Sequence, residues 1–370
     1  MRKFCKILNI FWVVFVLLAV SGGVANAQRV KFEKVDLKQG LSVNPVRLNK
    51  NEIFIPGGWG ENLKDVLLTA KIYKIKEKKL EDLHSMMKVP RFQYSSVAYD
   101  EEHVLVLGGY CPLKEENSNA SCCNVAEIYD KTNNTFTRIS DSNLEYDNKA
   151  SFMFLKDGNI LIYERSDCEI FNPKTKTFTI LPISTDDDTY DLWNSILLPL
   201  NEEKALVFAR YSPIISVLDL KEKKLYSIED NDTLLEGNVP CPALIDNDTL
   251  LFVGAGENNK NVVSFRISDE TFHDYGEILK RPLNSLETVV LDNNKIAMVY
   301  GRLDVIEGLW GRAVERAVYD YKYNKITEAK DIKDWERGLW YSHYLYKLDG
   351  SSVLYLERTL FHNIEALMEN

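Results

Sequence analysis

The chain is short of most residues that catalysis, metals, nucleic acid or membranes would call for. It has five histidines (His84, His103, His273, His343 and His362), no two of them at the i, i+4 spacing with which a helix grips zinc. No G-x-S-x-G nucleophile elbow occurs. Positive charge is scarce, with 45 lysines and arginines against 55 acidic residues and a formal net charge of −10. Such a chain has little with which to displace counterions, which argues against nucleic acid as a partner. Its N-terminal apolar run, Ile7 to Val20, is about 14 residues where a membrane-spanning helix needs about 20.

That run has a simpler meaning. Arg2, Lys3 and Lys6 precede it, and Ser21-Gly22-Gly23 and Ala25-Asn26-Ala27 follow, which is the plan of a secretory signal peptide with a small-residue cleavage site. Residues 1–27 are therefore read as a leader and 28–370 as one domain, secreted or periplasmic, with no membrane span in the mature chain. Cys5 lies ahead of the apolar run, so the arrangement used for a lipid-modified N-terminus is missing. Cleavage after Ala27 removes three positive charges and takes the formal charge from −10 to −13.

Five cysteines remain: Cys111, Cys122, Cys123, Cys168 and Cys241. Export permits a disulfide, and Cys111 with Cys122 or Cys123 would close a loop of about a dozen residues, worth about 3 kcal/mol in the chain-entropy model. Cys168 and Cys241 read as buried structural thiols. No cysteine or histidine follows the Cys122-Cys123 pair at ligand spacing, so no zinc is expected. Asp186-Asp187-Asp188 reads as a solvated acidic loop, because its spacing matches no calcium loop. No metal or other cofactor is implied.

What the chain does have is a repeat. A short apolar strand recurs as IFIPGGW (from Ile53), VLVLGGY (Val104), ILIYERS (Ile160), ALVFARY (Ala205), LLFVGAG (Leu250), AMVYGRL (Ala297) and VLYLERT (Val353), with starts 51, 56, 45, 45, 47 and 56 residues apart. After six of these comes a second strand, a polar turn and a third strand, as in AEIYDKTNNTFTRI from Ala126 and CEIFNPKTKTFTIL from Cys168. The Asp-, Asn- and Lys-rich centres are hairpin chemistry. One more strand precedes each apolar segment, so each repeat predicts four short antiparallel strands, the size of one propeller blade. The seventh repeat runs out early. Val30 to Leu37 (VKFEKVDL) alternates apolar and charged residues, belongs to no other repeat, and is expected to complete that last blade.

Gly57-Gly58 with Tyr73, and Gly108-Gly109 with Tyr129 and Phe136, resemble the kelch repeat, whose blades carry a Gly-Gly doublet closing the second strand, a tyrosine in the third and an aromatic in the fourth. The resemblance implies an all-β, seven-bladed β-propeller within the superfamily that includes the central domain of galactose oxidase. Copper oxidases of that superfamily need a histidine-tyrosine copper site with a modified cysteine, and no such motif stands here. GWGENL from Gly58 and GAGENN from Gly254 are strand-end turns, with no strand-to-helix context for a dinucleotide.

The chain departs from kelch at the doublet. Where the second glycine should stand, four repeats carry Arg165, Arg210, Arg302 and Arg358. In kelch-like propellers the loop leaving this strand and the loop entering each blade open on one face, and Arg91, Arg281 and Arg337 fall in the entering loops. Trp59, Tyr110 and Trp340 are expected on the same rim, with Tyr211, Trp193 and Tyr341 nearby. Arginine's planar fork suits carboxylate, sulfate or phosphate, and aromatic faces suit sugar rings. The candidate ligand-binding residues are thus Arg91, Arg165, Arg210, Arg302, Arg358, Trp59, Tyr110 and Trp340, in a monomeric, non-catalytic binding or scaffold module for an acidic glycan or acidic peptide. Each arginine could instead bridge blades by pairing with a carboxylate such as Glu164 or Glu357. Two other functions fit the resemblance: an enzyme similar to the exported sialic-acid mutarotases, which share leader, size and repeat type, and a protein-protein interaction module of a surface assembly. No catalytic constellation can be placed residue by residue for the former.

Overall fold

The computed structural model describes residues 31–36, 44–57, 66–92, 94–111, 120–121, 124–146, 150–165, 167–185, 195–209, 215–228, 242–256, 258–280, 284–292, 294–306, 309–328, 334–336, 343–348 and 352–357. Among these residues there are only strands and turns, and no helix is long and apolar enough to cross a membrane. The fold is a β-propeller.

Strand β1 (Lys31–Asp36) precedes the first repeat. Blade 1 consists of β2 (Val46–Asn49), β3 (Glu52–Ile55), β4 (Thr69–Lys74) and β5 (Lys79–Met86). Blade 2 consists of β6 (Ser95–Ala98), β7 (His103–Leu107), β10 (Ala126–Asp130) and β11 (Thr135–Arg138), with a small hairpin, β8 (Tyr110–Cys111) and β9 (Ala120–Ser121), inserted at its middle. Blade 3 is β12 (Ser151–Phe154), β13 (Ile160–Glu164), β14 (Asp167–Asn172) and β15 (Thr177–Ile180). Blade 4 is β17 (Ser195–Pro199), β18 (Lys204–Ala209), β19 (Ile215–Asp219) and β20 (Lys224–Ser227), edged by β16 (Ser184–Thr185). Blade 5 is β21 (Pro242–Leu244), β22 (Thr249–Ala255), β23 (Asn261–Arg266) and β24 (Thr271–Glu277). Blade 6 is β25 (Asn284–Leu291), β26 (Lys295–Ile306), β27 (Leu309–Asp320) and β28 (Lys325–Glu328), and β29 (Asp334–Glu336) also pairs with β27.

Six blades are four-stranded and antiparallel, which corrects the expectation of seven. The seventh repeat contributes only β30 (His343–Lys347) and β31 (Ser352–Glu357). Strand β1 joins them, running parallel to β31 from the pair Lys31–Ser352 to the pair Asp36–Glu357. The sheet therefore has three strands, because the described chain ends two strands into the repeat and the N-terminal strand supplies one, in the third position.

The second and third strands of a blade are covered on both faces by neighbouring blades, so they read as continuous apolar runs rather than alternating ones. All of Val104 to Leu107 is buried, whereas the outer strand β11 buries only Phe136. Each core lies between two sheets. Phe54, Ala70 and Ile72 of blade 1 pack against Val104, Val106, Tyr129 and Phe136 of blade 2, with the Phe54 and Tyr129 rings stacked at 4.9 Å. Similar clusters fill each gap up to blade 6. The three-stranded sheet then packs on both neighbours, through Val353 against Leu291 and Ala297, and through Leu354 against Ile53, Ile55 and Tyr73. The Tyr346 hydroxyl donates to the Pro45 carbonyl at 2.6 Å, and Lys347 Nζ donates to Asp292 at 2.6 Å.

The outer hairpin is the same device six times. A four-residue turn joins the third strand to the fourth in every blade, and its last residue is left-handed although it is never glycine: Lys78, Asn134, Lys176, Lys223, Glu270 and Asn324 have φ of 53°, 48°, 58°, 52°, 55° and 48°. An Asp or Asn at the strand end nucleates several of these turns by accepting amides two and three residues on, as Asn172 does from Lys174 and Thr175 and Asp219 from Lys221 and Glu222.

Candidate functional site

In an antiparallel blade the first-to-second and third-to-fourth turns leave one face of the ring, while the second-to-third connections and the crossings between blades leave the other. The two faces differ. On the first, the links are four residues or fewer, except for five at residues 155–159 of blade 3. On the second, 18 residues separate β7 from β10, and β26 and β27 run 12 residues each, although β26 pairs with β25 only from Lys295 to Gly301. Chain length that packing does not require is concentrated on this second face, which is also where the sequence placed the arginine rim.

Arg165 directly follows β13 there, in a left-handed conformation (φ 63°), its carbonyl accepting the Tyr163 hydroxyl at 2.8 Å. Arg302 lies in the projecting part of β26, opposite Ala313. Tyr110 is in β8, bridged to Phe92 of the entering loop by two backbone hydrogen bonds of 2.9 and 3.0 Å, with the two rings stacked at 5.8 Å. The glycine doublet makes that close approach possible. Gly108 and Gly109 have φ of 71° and 92°, and a Cβ on Gly109 would stand 2.7 Å from the Phe92 carbonyl oxygen.

Arg91 does not reach the surface. It is 0% exposed, and its guanidinium meets Glu127 Oε1 at 3.0 Å and donates to the Val125 carbonyl at 2.6 Å. Burial pushes Arg91 down from its ordinary value, and the facing Glu127 carboxylate opposes that shift. Glu127 also accepts the backbone amides of Lys88 and Val89, at 2.8 and 2.9 Å. The pair thus clamps the crossing from blade 1 to blade 2 against the third strand of blade 2. Glu169 does the same one blade on: it accepts the Asn143 amide at 2.9 Å, the Ser142 hydroxyl at 2.5 Å and the Tyr146 hydroxyl at 3.2 Å. Burial, and the nearby Glu169 carboxylate, push the Tyr146 phenol up from its usual range.

Arg210, Arg358, Trp59 and Trp340 lie outside the described residues, as do Arg281, Arg337, Tyr211, Trp193, Tyr341, the Asp186–Asp188 run, Cys122, Cys123 and Cys241. Cys111 pairs through its backbone with Ala120. Cys168 is a free, buried thiol, held by burial at about 12. Sequence reasoning missed the Glu127 and Glu169 clamps, although the signal was there: a glutamate flanked on both sides by apolar residues within the third strand, Ala126-Glu127-Ile128 and Cys168-Glu169-Ile170. It also missed β29 and the length of the blade 6 hairpin.

The opposite face offers less. A depression there of about 360 Å³ is lined by Asn49, Lys50, Glu52, Lys74 and Glu101 among others. Charges there satisfy one another, as in Lys131 Nζ to Glu52 at 2.6 Å and to Glu102 at 3.6 Å. Among the described residues no three His, Cys, Asp or Glu side chains gather as a metal site.

The fold defines the class, a β-propeller. No protein-family model matches the chain, and no curated protein matches it either.

Proposed function

We propose that the protein is an exported, kelch-type binding or scaffold propeller that recognises an acidic ligand, a glycan or a peptide segment, on the face carrying the long connections. The observation behind this reading is the coincidence of Arg165, Arg302 and Tyr110 with the only face on which the described chain extends beyond its blades. Arg91 has no part in it, being occupied by Glu127. Charge-assisted hydrogen bonds to partly desolvated arginines contribute about 1.5–3 kcal/mol each, so two suffice for a weakly held acidic group.

The test is a thermal-shift panel on residues 28–370 with uronic and sialic acids, sulfated sugars and acidic peptides at low and moderate salt. A ligand at about a hundred times its Kd adds about 2.7 kcal/mol, a shift of a degree or more. A shift that salt suppresses is the expected result; a panel flat throughout overturns the acidic-ligand reading and points to a protein partner.

A further inference from the structure

The outer hairpin turns of blades 3 and 4 concentrate positive charge on an acidic protein. Residues 173–176 join β14 to β15 and carry Lys174 and Lys176; residues 220–223 join β19 to β20 and carry Lys221 and Lys223, with Glu222 the one acidic residue in either turn. All four lysines are exposed. Several other lysines of the first face are paired, as Lys131 is with Glu52, Lys156 with Glu202 and Lys204 with Asp219. Among the described residues, none of these four has a side-chain hydrogen bond or a carboxylate within ion-pair reach.

Lys176 and Lys223 also hold the left-handed position of their turns, with φ of 58° and 52°. A residue with a Cβ is strained there and glycine is not. Neither side chain serves the described fold, because the contacts made at both places are backbone ones. The Lys176 carbonyl accepts the Ser140 hydroxyl at 2.7 Å, and the Lys223 carbonyl accepts the Ser184 amide at 2.9 Å and its hydroxyl at 3.1 Å. The Ser184 contact brings the two turns together: Ser184 lies eight residues on from Lys176, so the two lysine pairs stand within about 30 Å of each other.

We propose that the outer turns of blades 3 and 4 form a docking strip for an acidic polysaccharide, a chain with a carboxylate on each sugar, which passes from Lys174 and Lys176 to Lys221 and Lys223. Exposed lysines each hold an anion weakly and lack arginine's bidentate fork, so the strip selects a ligand that offers many charges at once, and releases it as salt rises. A single acidic sugar carries one charge and gains little. The inner turns of the same face decide which polyanion fits. Glu101, Glu202, Glu203 and Asp246 stand exposed on the first-to-second strand turns. An anionic membrane would press against those carboxylates as well as the lysines, and a nucleic-acid duplex, with one charge per ~1.7 Å, would meet the net negative charge of the whole chain. A flexible chain one sugar wide follows the lysines and avoids the acids. The strip lies on the face opposite Arg165 and does not rest on the function proposed above.

The test titrates polygalacturonate, neutral dextran, phosphatidylserine vesicles and a DNA duplex, read by calorimetry at about 50 and about 200 mM salt, into residues 28–370. The variants are Lys176→Gly with Lys223→Gly, the combination of Lys174→Gln, Lys176→Gln, Lys221→Gln and Lys223→Gln, and Arg165→Gln, each checked by its melting midpoint. Expected are binding of polygalacturonate over dextran, weakening with salt, and no change in Arg165→Gln. The double glycine variant should lose about threefold or more in affinity although its midpoint is unchanged or higher, and the fourfold glutamine variant about tenfold or more. Polygalacturonate binding that survives both lysine variants and falls in Arg165→Gln overturns the strip and leaves the function proposed above standing. No polygalacturonate binding at the lower salt overturns the strip as well. Tighter binding of the vesicles or the duplex, lost in the same lysine variants, overturns the polysaccharide as occupant.

Discussion

Breaking the Arg91–Glu127 pair should cost more stability than any surface charge on this protein. Arg91→Met keeps most of the side-chain volume but leaves the Glu127 carboxylate buried with, among the described residues, only the amides of Lys88 and Val89 for partners, and leaves the Val125 carbonyl without its charged donor. Removing one partner of a buried pair costs about 3–5 kcal/mol, because the other charge stays desolvated. Glu127→Gln strands the guanidinium instead, with a loss of the same order. The double variant removes both charges, so its loss should fall below the sum of the single losses by about 2 kcal/mol or more. Urea unfolding of the four proteins, with the m-value held constant, measures this cycle. A loss below about 1 kcal/mol in Arg91→Met, or strict additivity, would refute the clamp. The folded Arg91→Met protein should bind acidic ligands as the parent does, since the guanidinium is not exposed to them.

The outer turns give a prediction of opposite sign. Lys223→Gly and Glu270→Gly relieve a left-handed conformation at exposed positions, and each should raise stability by about 0.5–1 kcal/mol, additively because they lie in different blades; a loss at both in urea unfolding would show that these side chains do more than turn. Alkali should weaken the fold through Cys168. Its thiol is held at about 12 against 9.0 for an ordinary cysteine, so the folded state keeps a proton the unfolded chain gives up. That contribution is whole below pH 9 and is lost as pH rises towards 12, at about 1.4 kcal/mol per pH unit. Stability between pH 9 and 10.5 should therefore fall less steeply in Cys168→Ala, and parallel slopes would remove the thiol as the cause. Finally, a chain starting at Gly40 lacks β1 and its six-pair ladder with β31, and should melt earlier than residues 28–370; equal midpoints would mean that β1 does not close the ring.

The blade pattern was legible because each strand type carries its own period and each turn its own chemistry. The seven apolar segments all became second strands, from Glu52–Ile55 in β3 to Ser352–Glu357 in β31. The joining of the N-terminal strand to the last sheet was legible too, but its direction was not: a period-2 pattern says which residues share a face and nothing about whether the neighbour runs parallel. The reach of blade 6 was hidden for a related reason. Gly301-Arg302 sits where kelch repeats end the second strand, so the chain was expected to turn there, yet β26 runs on to Ile306. Arg91 shows the limit for the site. Sequence position puts an arginine in an entering loop, but whether it faces solvent depends on Glu127, 36 residues later, standing at the second place of β10.

The clamps and the long connections belong to one arrangement. Every core of this ring lies between sheets, so the second-face connections can vary in length without disturbing the packing of Phe54 on Tyr129 or of Phe208 on Phe252. What free connections lack is a fixed height above the ring, and a binding surface needs that, because each side chain immobilised on binding costs about 0.5–1.5 kcal/mol. Glu127 and Glu169 supply it where the links are irregular, by tying the crossings into blades 2 and 3 to third strands, at positions where those strands are buried. In blade 6 the same end is fixed differently: the connection is itself a continuous ladder from Lys295 to Ile306, stiffened along one side by β29. Among the described residues, the longest regular ladder on that face is thus the blade 6 hairpin, and pre-ordering of this kind is what lets a few polar contacts hold a small ligand.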